Sequence, residues 1–271
     1  MKAFSKTLIA CAVTGVRGLA SSGAMAQATF PNFTVNETIA GGTFTGINAD
    51  KITGNYTEVI TFSGSTFQAS LLWNAGQFVT NDGTSPVPSN LSPTGGTAAQ
   101  YGMYALYQAS GNFTTSGGVT TFNFTPSTSG NLRLFLDPNS NTTFSAPGTG
   151  AGAWTTAGSG DDILIANGAP TAGQGTLDPT LPTCTNGINC GSFGTTSTFS
   201  LTSAGSSYFT APNPFYNVSF QSGQLNNFNP TGTQTINGSL DVVFAVPEPT
   251  SIALIGLGLL GVGLSRRRKQ A

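Results

Sequence analysis

Residues 58–73 read EVITFSGSTFQASLLW, two short apolar runs on either side of Gly64. Both runs are rich in aromatic and β-branched side chains, and polar residues alternate with apolar ones along much of their length. A period of two is typical of a strand with one buried face, whereas an amphipathic helix repeats every ~3.6 residues. The stretch therefore predicts β-strands.

The same pattern recurs along the rest of the chain, where Gly, Asn and Pro separate the runs. The further runs are residues 77–79, 101–107, 119–124, 131–136, 163–165, 197–201, 208–209, 216–220 and 240–245. No long helical periodicity is present between Gln27 and Val246. The sequence therefore predicts a single all-β domain over residues 27–245, an antiparallel β-sandwich or a jelly-roll-like arrangement. The pattern leaves the strand order open.

The N-terminal residues have the features of a secretory signal peptide. Lys2 and Lys6 precede an apolar stretch over residues 8–16, and Ala24–Ala26 supplies the small residues of a cleavage site. We expect cleavage after this triplet, which makes residues 1–26 the signal peptide and the protein an exported one.

The C-terminal residues 246–271 have three parts: a PEP triplet, an apolar run over residues 251–264, and a basic cluster. The triplet is Pro247, Glu248 and Pro249, and the cluster is Arg266, Arg267, Arg268 and Lys269. The run would form a helix of about 21 Å, short of the roughly 30 Å of a bilayer's hydrocarbon core. The basic cluster places this end in the cytoplasm. We expect a short transmembrane helix that holds the protein at the inner membrane transiently.

This tail resembles the PEP-CTERM sorting signal, which exosortases process in Gram-negative bacteria. The resemblance rests on the literal PEP triplet, the short apolar run and the arginine cluster, in that order. It implies an exosortase as the processing partner, and delivery to the cell surface or extracellular matrix after C-terminal processing. The alternative is an ordinary tail anchor with an accidental PEP triplet.

Charge is distributed very unevenly between the ends and the middle of the chain. Of the nine basic residues, only Lys51 and Arg133 lie between Gln27 and Pro249, together with all ten acidic residues. Two basic against ten acidic residues give this interval a formal charge of −8. Two cations cannot neutralise a phosphate backbone, so we do not expect nucleic acid as a partner. Anionic surfaces are repelled unless divalent cations bridge the two.

Two long glycine-rich stretches, residues 82–100 and 145–193, are expected to be loops. The second is too long for a simple connection, so we expect a surface excursion or a partly mobile segment. It contains Cys184 and Cys190, and the third cysteine, Cys11, leaves with the signal peptide. An even pair in an exported protein indicates a local disulfide that pins this loop. A zinc site is disfavoured, because the chain has no histidine and two sulfurs are an incomplete ligand set.

Residues 137–142, Asp-Pro-Asn-Ser-Asn-Thr, follow a predicted strand and resemble the opening of an EF-hand calcium loop. They depart from that pattern, since threonine replaces the required glycine. Two later aspartates would complete the charge if the fold brings them near. The candidate calcium ligands are Asp137, Asn139, Asn141, Asp161 and Asp162. The alternative, which the residues favour, is a Pro-Asn turn in which Asp and Asn bond to the local backbone. We therefore expect no cofactor other than a possible calcium ion.

The absence of histidine restricts the catalytic chemistry. Ser-His-Asp and Cys-His catalysis are excluded, and so is any His-ligated metal. A glycosidase needs only two carboxylates, so a secreted polysaccharide-processing hydrolase with a distant pair such as Asp137 and Asp161 stays open. The adjacent Asp161 and Asp162 would point to opposite faces in a strand. The small number of acids favours a protein without catalytic activity.

Several segments are similar to the flocculation-associated PEP-CTERM proteins. In order, they are residues 30–35, 50–56, 77–78, 101–107, 136–142, 207–209 and 212–215. The resemblance spreads over most of the domain, but the loop from Cys184 to Cys190 has no counterpart in it. It implies a secreted protein that promotes flocculation or biofilm cohesion in an exopolysaccharide matrix, with no catalytic residues to carry over. On this basis we expect exposed Tyr, Trp and Asn side chains to bind sugars.

Overall fold

The computed structural model describes residues 30–92, 100–127 and 131–245. The strands are β1 (Phe33–Asn36), β2 (Thr45–Ala49), β3 (Lys51–Ser63), β4 (Thr66–Thr80), β5 (Ser85–Pro86), β6 (Gly102–Ser116), β7 (Val119–Phe124), β8 (Leu132–Asp137), β9 (Thr143–Ser145), β10 (Thr155–Ala157), β11 (Ile163–Gly168), β12 (Pro170–Leu177), β13 (Gly191–Thr198), β14 (Ser200–Leu201), β15 (Phe209–Ala211), β16 (Val218–Leu225) and β17 (Thr233–Ala245). The helices are α1 (Ser203–Tyr208) and two 3₁₀-helices at Glu37–Ala40 and Ser159–Asp161. The prediction of an all-β domain without long helices is confirmed.

The predicted signal peptide over residues 1–26 lies outside the described residues. So does the predicted C-terminal transmembrane helix. Within the three described ranges, no helix is long and apolar enough to cross a membrane.

Eight strands close into an antiparallel barrel. Around it, the order is β3, β4, β6, β7, β12, β13, β16 and β17, and β17 pairs again with β3. Three shorter strands, β8, β11 and β14, continue the sheet from the first half of β6. The predicted antiparallel arrangement is thus realised as a sheet that closes on itself. Closure gives the barrel strands partners on both sides, which leaves few unpaired backbone groups at edges.

The interior of the barrel is filled mainly by aromatic side chains. Tyr56 and Phe193 are in edge-to-face contact, with ring centroids 5.5 Å apart, and Phe67 meets Phe122 at 5.8 Å. All four rings are buried. Each fully buried ring of this size stabilises the fold by roughly 1.5–3 kcal/mol. The period-two alternation of β3 and β4 therefore reflects this core.

A second, smaller sheet covers one end of the barrel. Its strand order is β15, β1, β2, and α1 lies beside it. Phe33 of β1 packs edge-to-face on Phe209 of β15 and Phe244 of β17, with centroid distances of 5.8 and 5.2 Å. The three rings join the end sheet to the barrel.

The outer face of the barrel carries a second apolar cluster. Val59 and Leu72 point outwards from β3 and β4, and Trp154 covers them together with Tyr104. The Trp154 indole N–H donates to the carbonyl of Ser70 at 3.1 Å. The chain after β8 thus crosses the outside of the barrel and packs against it.

The expectation of a surface excursion over residues 145–193 is wrong for much of its length. This stretch contains β10 and β11, and β12 is a full member of the barrel. The strand signal is weak in β12 because its residues are mostly Thr, Gly, Ala and Gln. Small residues are required there: a Cβ on Gly173 would lie 2.9 Å from the ring of Phe124. Large aromatic residues on neighbouring strands supply the core volume instead.

Candidate functional site

The sequence-predicted polar residues lie at the end of β8 and in the segment before β11. The carboxylate of Asp137 accepts the backbone N–H groups of Asn141 at 3.2 Å and Thr142 at 3.0 Å. Asn139 donates its side-chain N–H to Asp161 at 2.7 Å. The fold therefore does bring the two segments together, although they are about twenty residues apart in sequence.

Asp162 completes this polar cluster. Its carboxylate accepts the hydroxyl of Thr142 at 2.9 Å and the hydroxyl of Tyr104 at 2.5 Å. Burial raises the pKa of the Asp162 carboxyl, the two hydroxyl donors oppose that shift, and the charges of Asp137 and Asp161 add to it. The carboxylates are close enough to interact, and protein donors occupy them.

These contacts match the Pro-Asn turn that the sequence favours over a calcium loop. Asp137 accepts backbone N–H groups four and five positions later, so its carboxylate is held by the local backbone. Among the described residues, no group of three or more Asp, Glu, Cys or His side chains is arranged to hold a metal ion. Calcium at these residues stays the untested alternative to the turn.

Cys184 and Cys190 lie at bonding distance, with their sulfurs 1.97 Å apart and their Cα atoms 4.2 Å apart. The loop between them turns through Asn186, Gly187 and Asn189, which all have positive φ. The backbone N–H of Cys190 also donates to the carbonyl of Leu225 at 2.8 Å. The loop is therefore attached to the barrel beside β16.

The expected exposed tryptophans are absent from the surface. Trp73 is buried inside the barrel. Trp154 is also buried, but on the outer face of the barrel, where it packs on Val59 and Leu72. Five of the six tyrosines are also buried, and only Tyr216 is partly exposed. Prediction from residue type was wrong here, because aromatic rings are the main source of core volume in a chain so rich in small residues.

Tyr216 lies on a groove that sequence reasoning missed. The groove has a volume of about 290 Å³. It is formed by β14, α1, β15 and the segment that leads into β16, and is lined by Phe199, Ser200, Leu201, Ser206, Phe209, Thr210, Pro212, Asn213, Pro214, Phe215, Tyr216 and Asn217. Two cis peptide bonds, Ala211–Pro212 and Asn213–Pro214, shape the segment between β15 and β16.

The wall of the groove is held by ring contacts. Phe215 packs on Phe209 with a centroid distance of 4.8 Å and on Phe244 at 5.2 Å. Tyr216 packs on Phe215 at 5.3 Å, and its hydroxyl donates to the carbonyl of Asn32 at 2.7 Å. The wall is thereby tied to the aromatic cluster that joins the end sheet to the barrel.

The groove is polar but uncharged. Ser206, Thr210, Asn213 and Asn217 are exposed on its rim, and no Asp, Glu, Lys or Arg lines it. Burial raises the pKa of the Tyr216 hydroxyl, so it stays neutral near pH 7. The lining therefore offers neutral hydroxyl, amide and aromatic groups to a ligand.

Comparison with known families concerns the C-terminal end of the chain. Residues 245–269 match the family model of the PEP-CTERM protein-sorting motif. The chain carries a PEP-CTERM sorting signal. Such a signal supports an exported surface protein that an exosortase sorts, with the exosortase as processing partner. Comparison with curated proteins and with solved structures finds no match.

The PEP-CTERM signal begins where the barrel ends. The last residue of β17, Ala245, is the first residue of the matched range and pairs with Val218 of β16. Asn217, on the rim of the groove, immediately precedes Val218 in sequence. The groove therefore lies at the end of the barrel from which the PEP-CTERM signal departs.

Proposed function

We propose that the domain is a non-enzymatic surface protein that binds exopolysaccharide in this groove and promotes flocculation or biofilm cohesion. The observation that carries the proposal is the lining of the groove, which combines aromatic walls with exposed hydroxyl and amide groups. A sugar has apolar ring faces and many hydroxyls, and sites for such ligands pair apolar surface with a few placed polar groups. The sorting signal supports delivery to the surface, where such a polymer is met.

Each part of the groove has a defined role in this proposal. The rings of Phe215 and Tyr216 supply apolar surface for a sugar ring. The amides of Asn213 and Asn217 supply both donors and acceptors, which matches the mixed character of sugar hydroxyls. Because their side chains are exposed, their removal changes binding more than folding.

Cosedimentation with exopolysaccharide from the producing cells tests the groove. We expect the double variant N213A/N217A to bind about thirtyfold more weakly, because it loses two hydrogen bonds of about 1 kcal/mol each. Asn48→Ala is the matched control, since Asn48 is an exposed asparagine on β2, away from the groove. Equal binding by wild type and the double variant would contradict the proposal.

Cells provide the second test. Deletion of the gene is expected to reduce floc size and the amount of protein retained in the matrix. Re-expression of the N213A/N217A protein is expected to restore export but not flocs. Flocs of normal size in the deletion strain would contradict a cohesive role.

The alternative, a polysaccharide hydrolase with a carboxylate pair, has less support. Asp137 and Asp161 are occupied by protein donors, and neither lines the groove. Release of reducing ends from purified exopolysaccharide, lost in Asp137→Asn or Asp161→Asn, would favour the hydrolase.

A further inference from the structure

The outer face of β12, β13 and β16 is a wide and almost uncharged surface away from the groove. Its outward residues are Ala172, Gln174, Thr176, Ser192, Gly194, Thr196, Thr198, Phe220, Ser222 and Gln224. Asp241 of β17, opposite Ser222, forms an ion pair with Lys51, with 2.8 Å between Nζ and Oδ2. Asp178, at the end of β12, accepts hydrogen bonds from Thr180. The outward residues of these three strands therefore offer hydroxyl and amide groups in ordered rows and carry no charge themselves.

An exposed aromatic ring lies on the β16 side of this face. Phe220 is 39 % exposed, one of the few large apolar side chains exposed among the described residues. In the register of the sheet, it lies opposite Thr196 of β13 and Val243 of β17. A lone ring with one face open is a platform on which a flat apolar surface can stack.

Gly194 leaves a slot beside this ring. Gly194 lies on β13, two residues before Thr196, and its neighbours across the sheet are Gln174 of β12 and Ser222 of β16. A Cβ at Gly194 would find only the carbonyl oxygen of Gln221 within 4 Å, at 3.8 Å, and the residue does not have positive φ. Packing and backbone conformation would thus accept a larger residue.

This openness distinguishes Gly194 from the glycines that the core requires. A Cβ on Gly173 would lie under 3.0 Å from a neighbouring side chain. A glycine in a strand interior weakens the strand, and one reason for such a residue is the close approach of a ligand. Gly194 has no packing reason, and the amide-bearing Gln174 and the hydroxyl-bearing Ser222 lie opposite it on the neighbouring strands.

We infer that this face, centred on Phe220 and Gly194, is a second binding surface for an uncharged, extended polysaccharide. The inference rests on the proposed function and adds a site and a ligand class to it. A sugar ring stacks on Phe220, the next part of the chain lies over Gly194, and Gln174, Thr196 and Ser222 exchange hydrogen bonds with its hydroxyls. The formal charge of −8 over residues 27–249 disfavours an anionic polymer at this face.

Binding assays with defined polymers test the inference. Cellulose, starch and a β-1,3-glucan serve as neutral probes, alginate serves as the anionic probe, and native exopolysaccharide is included. We expect Gly194→Val and Phe220→Ala each to weaken binding to a neutral polymer at least about fivefold. Gly148→Val is the matched control, because Gly148 is exposed, has open space around it and lacks positive φ.

Folding and binding are separable in this design. A β-branched residue at position 194 favours a strand, so Gly194→Val is expected to keep or raise the melting temperature while it fills the slot. If only N213A/N217A weakens binding, the inference is overturned and the proposed function stands. If wild type binds no polysaccharide, both are overturned. If Gly194→Val instead dissociates an oligomer in the absence of polysaccharide, the face is a contact between copies and the inference is overturned.

Discussion

The hydroxyl of Tyr101 donates a hydrogen bond to Oε1 of Glu37 over 3.0 Å, where the end sheet meets the barrel. Glu37 is fully buried, and both of its carboxylate oxygens lie 3.0 Å from the backbone N–H of Asn90. The hydroxyl of Tyr208 is 2.5 Å from that of Tyr101 and extends the chain of bonds to α1. One buried carboxyl therefore connects three separate parts of the chain.

Removal of the Glu37 side chain is expected to destabilise the domain by about 3 kcal/mol. Glu37→Ala leaves the Tyr101 hydroxyl and the Asn90 N–H buried without their acceptor, and each such loss costs about 1–3 kcal/mol. Tyr208→Phe removes only the hydroxyl that bonds to Tyr101, and it is expected to lower the free energy of unfolding by about 1 kcal/mol. Urea unfolding at pH 7 measures both. A Glu37→Ala protein no less stable than Tyr208→Phe would contradict this account.

Glu58 is expected to make stability depend on pH. Its side chain points into the barrel among apolar residues such as Phe67 and Phe193, and burial raises its pKa from 4.5 to about 7. Because the folded pKa is raised, the stabilisation is fully present below about pH 4.5 and is lost as pH rises through 7. The shift corresponds to about 3 kcal/mol.

The variant Glu58→Gln tests this, since an amide stays neutral at every pH. We expect wild type and variant to have similar free energies of unfolding at pH 4. At pH 8 the variant is expected to be more stable by about 3 kcal/mol. The difference between the two proteins removes the contribution of other carboxyls. A difference that is the same at pH 4 and pH 8 would show that Glu58 does not titrate in this range.

Trp154 is expected to hold the outer loop on the barrel. Trp154→Ala exposes Val59 and Leu72 and is expected to cost about 3–5 kcal/mol. Trp154→Phe keeps a ring but loses the N–H bond to Ser70, so a loss of about 1–3 kcal/mol is expected. Thermal unfolding and hydrogen exchange of residues 138–162 measure the effect. Unchanged exchange in Trp154→Ala would contradict the role of this residue.

The sequence predicts the strands that contain aromatic residues, but it misses β12, a strand of small residues that packs beside them. The stretch over residues 58–73 forms parts of β3 and β4, and most of its apolar side chains face the barrel interior at every second position. β12 gives almost no signal, since its glycines are required by rings that come from β7 and β13. The pattern of one sequence shows which residues are apolar. It does not show which glycines must lie against the large rings in the folded barrel.

The candidate sites also differ in how far the sequence predicts them. Asp137 and Asn139 are recognisable because their spacing within one turn is local. The groove depends on Phe199, which packs on Phe244, and on Tyr216, which bonds to Asn32. Those contacts join residues that are far apart in sequence. No local pattern contains them.

Calcium is expected to have little effect on stability. Asp137 and Asp162 are already hydrogen-bonded to protein donors in the turn. Removal of divalent ions with EDTA is therefore expected to leave the urea midpoint unchanged. A calcium site would behave differently, since calcium at a hundredfold excess over Kd adds about 2.7 kcal/mol. A stabilisation of that size, lost in Asp161→Asn, would establish calcium binding.

Loss of the Cys184–Cys190 bond is expected to destabilise the domain by about 2 kcal/mol, because it closes only a short loop in the unfolded chain. The variant C184A/C190A tests this by urea unfolding, and wild type with its disulfide reduced is the matched control. Both should also lose hydrogen-exchange protection at Asn227, whose N–H donates to the carbonyl of Gly187 at 2.7 Å. The β3–β4 hairpin should keep its protection, since it lies elsewhere in the barrel. Equal stability of variant and wild type would show that the loop is held by its backbone bonds alone.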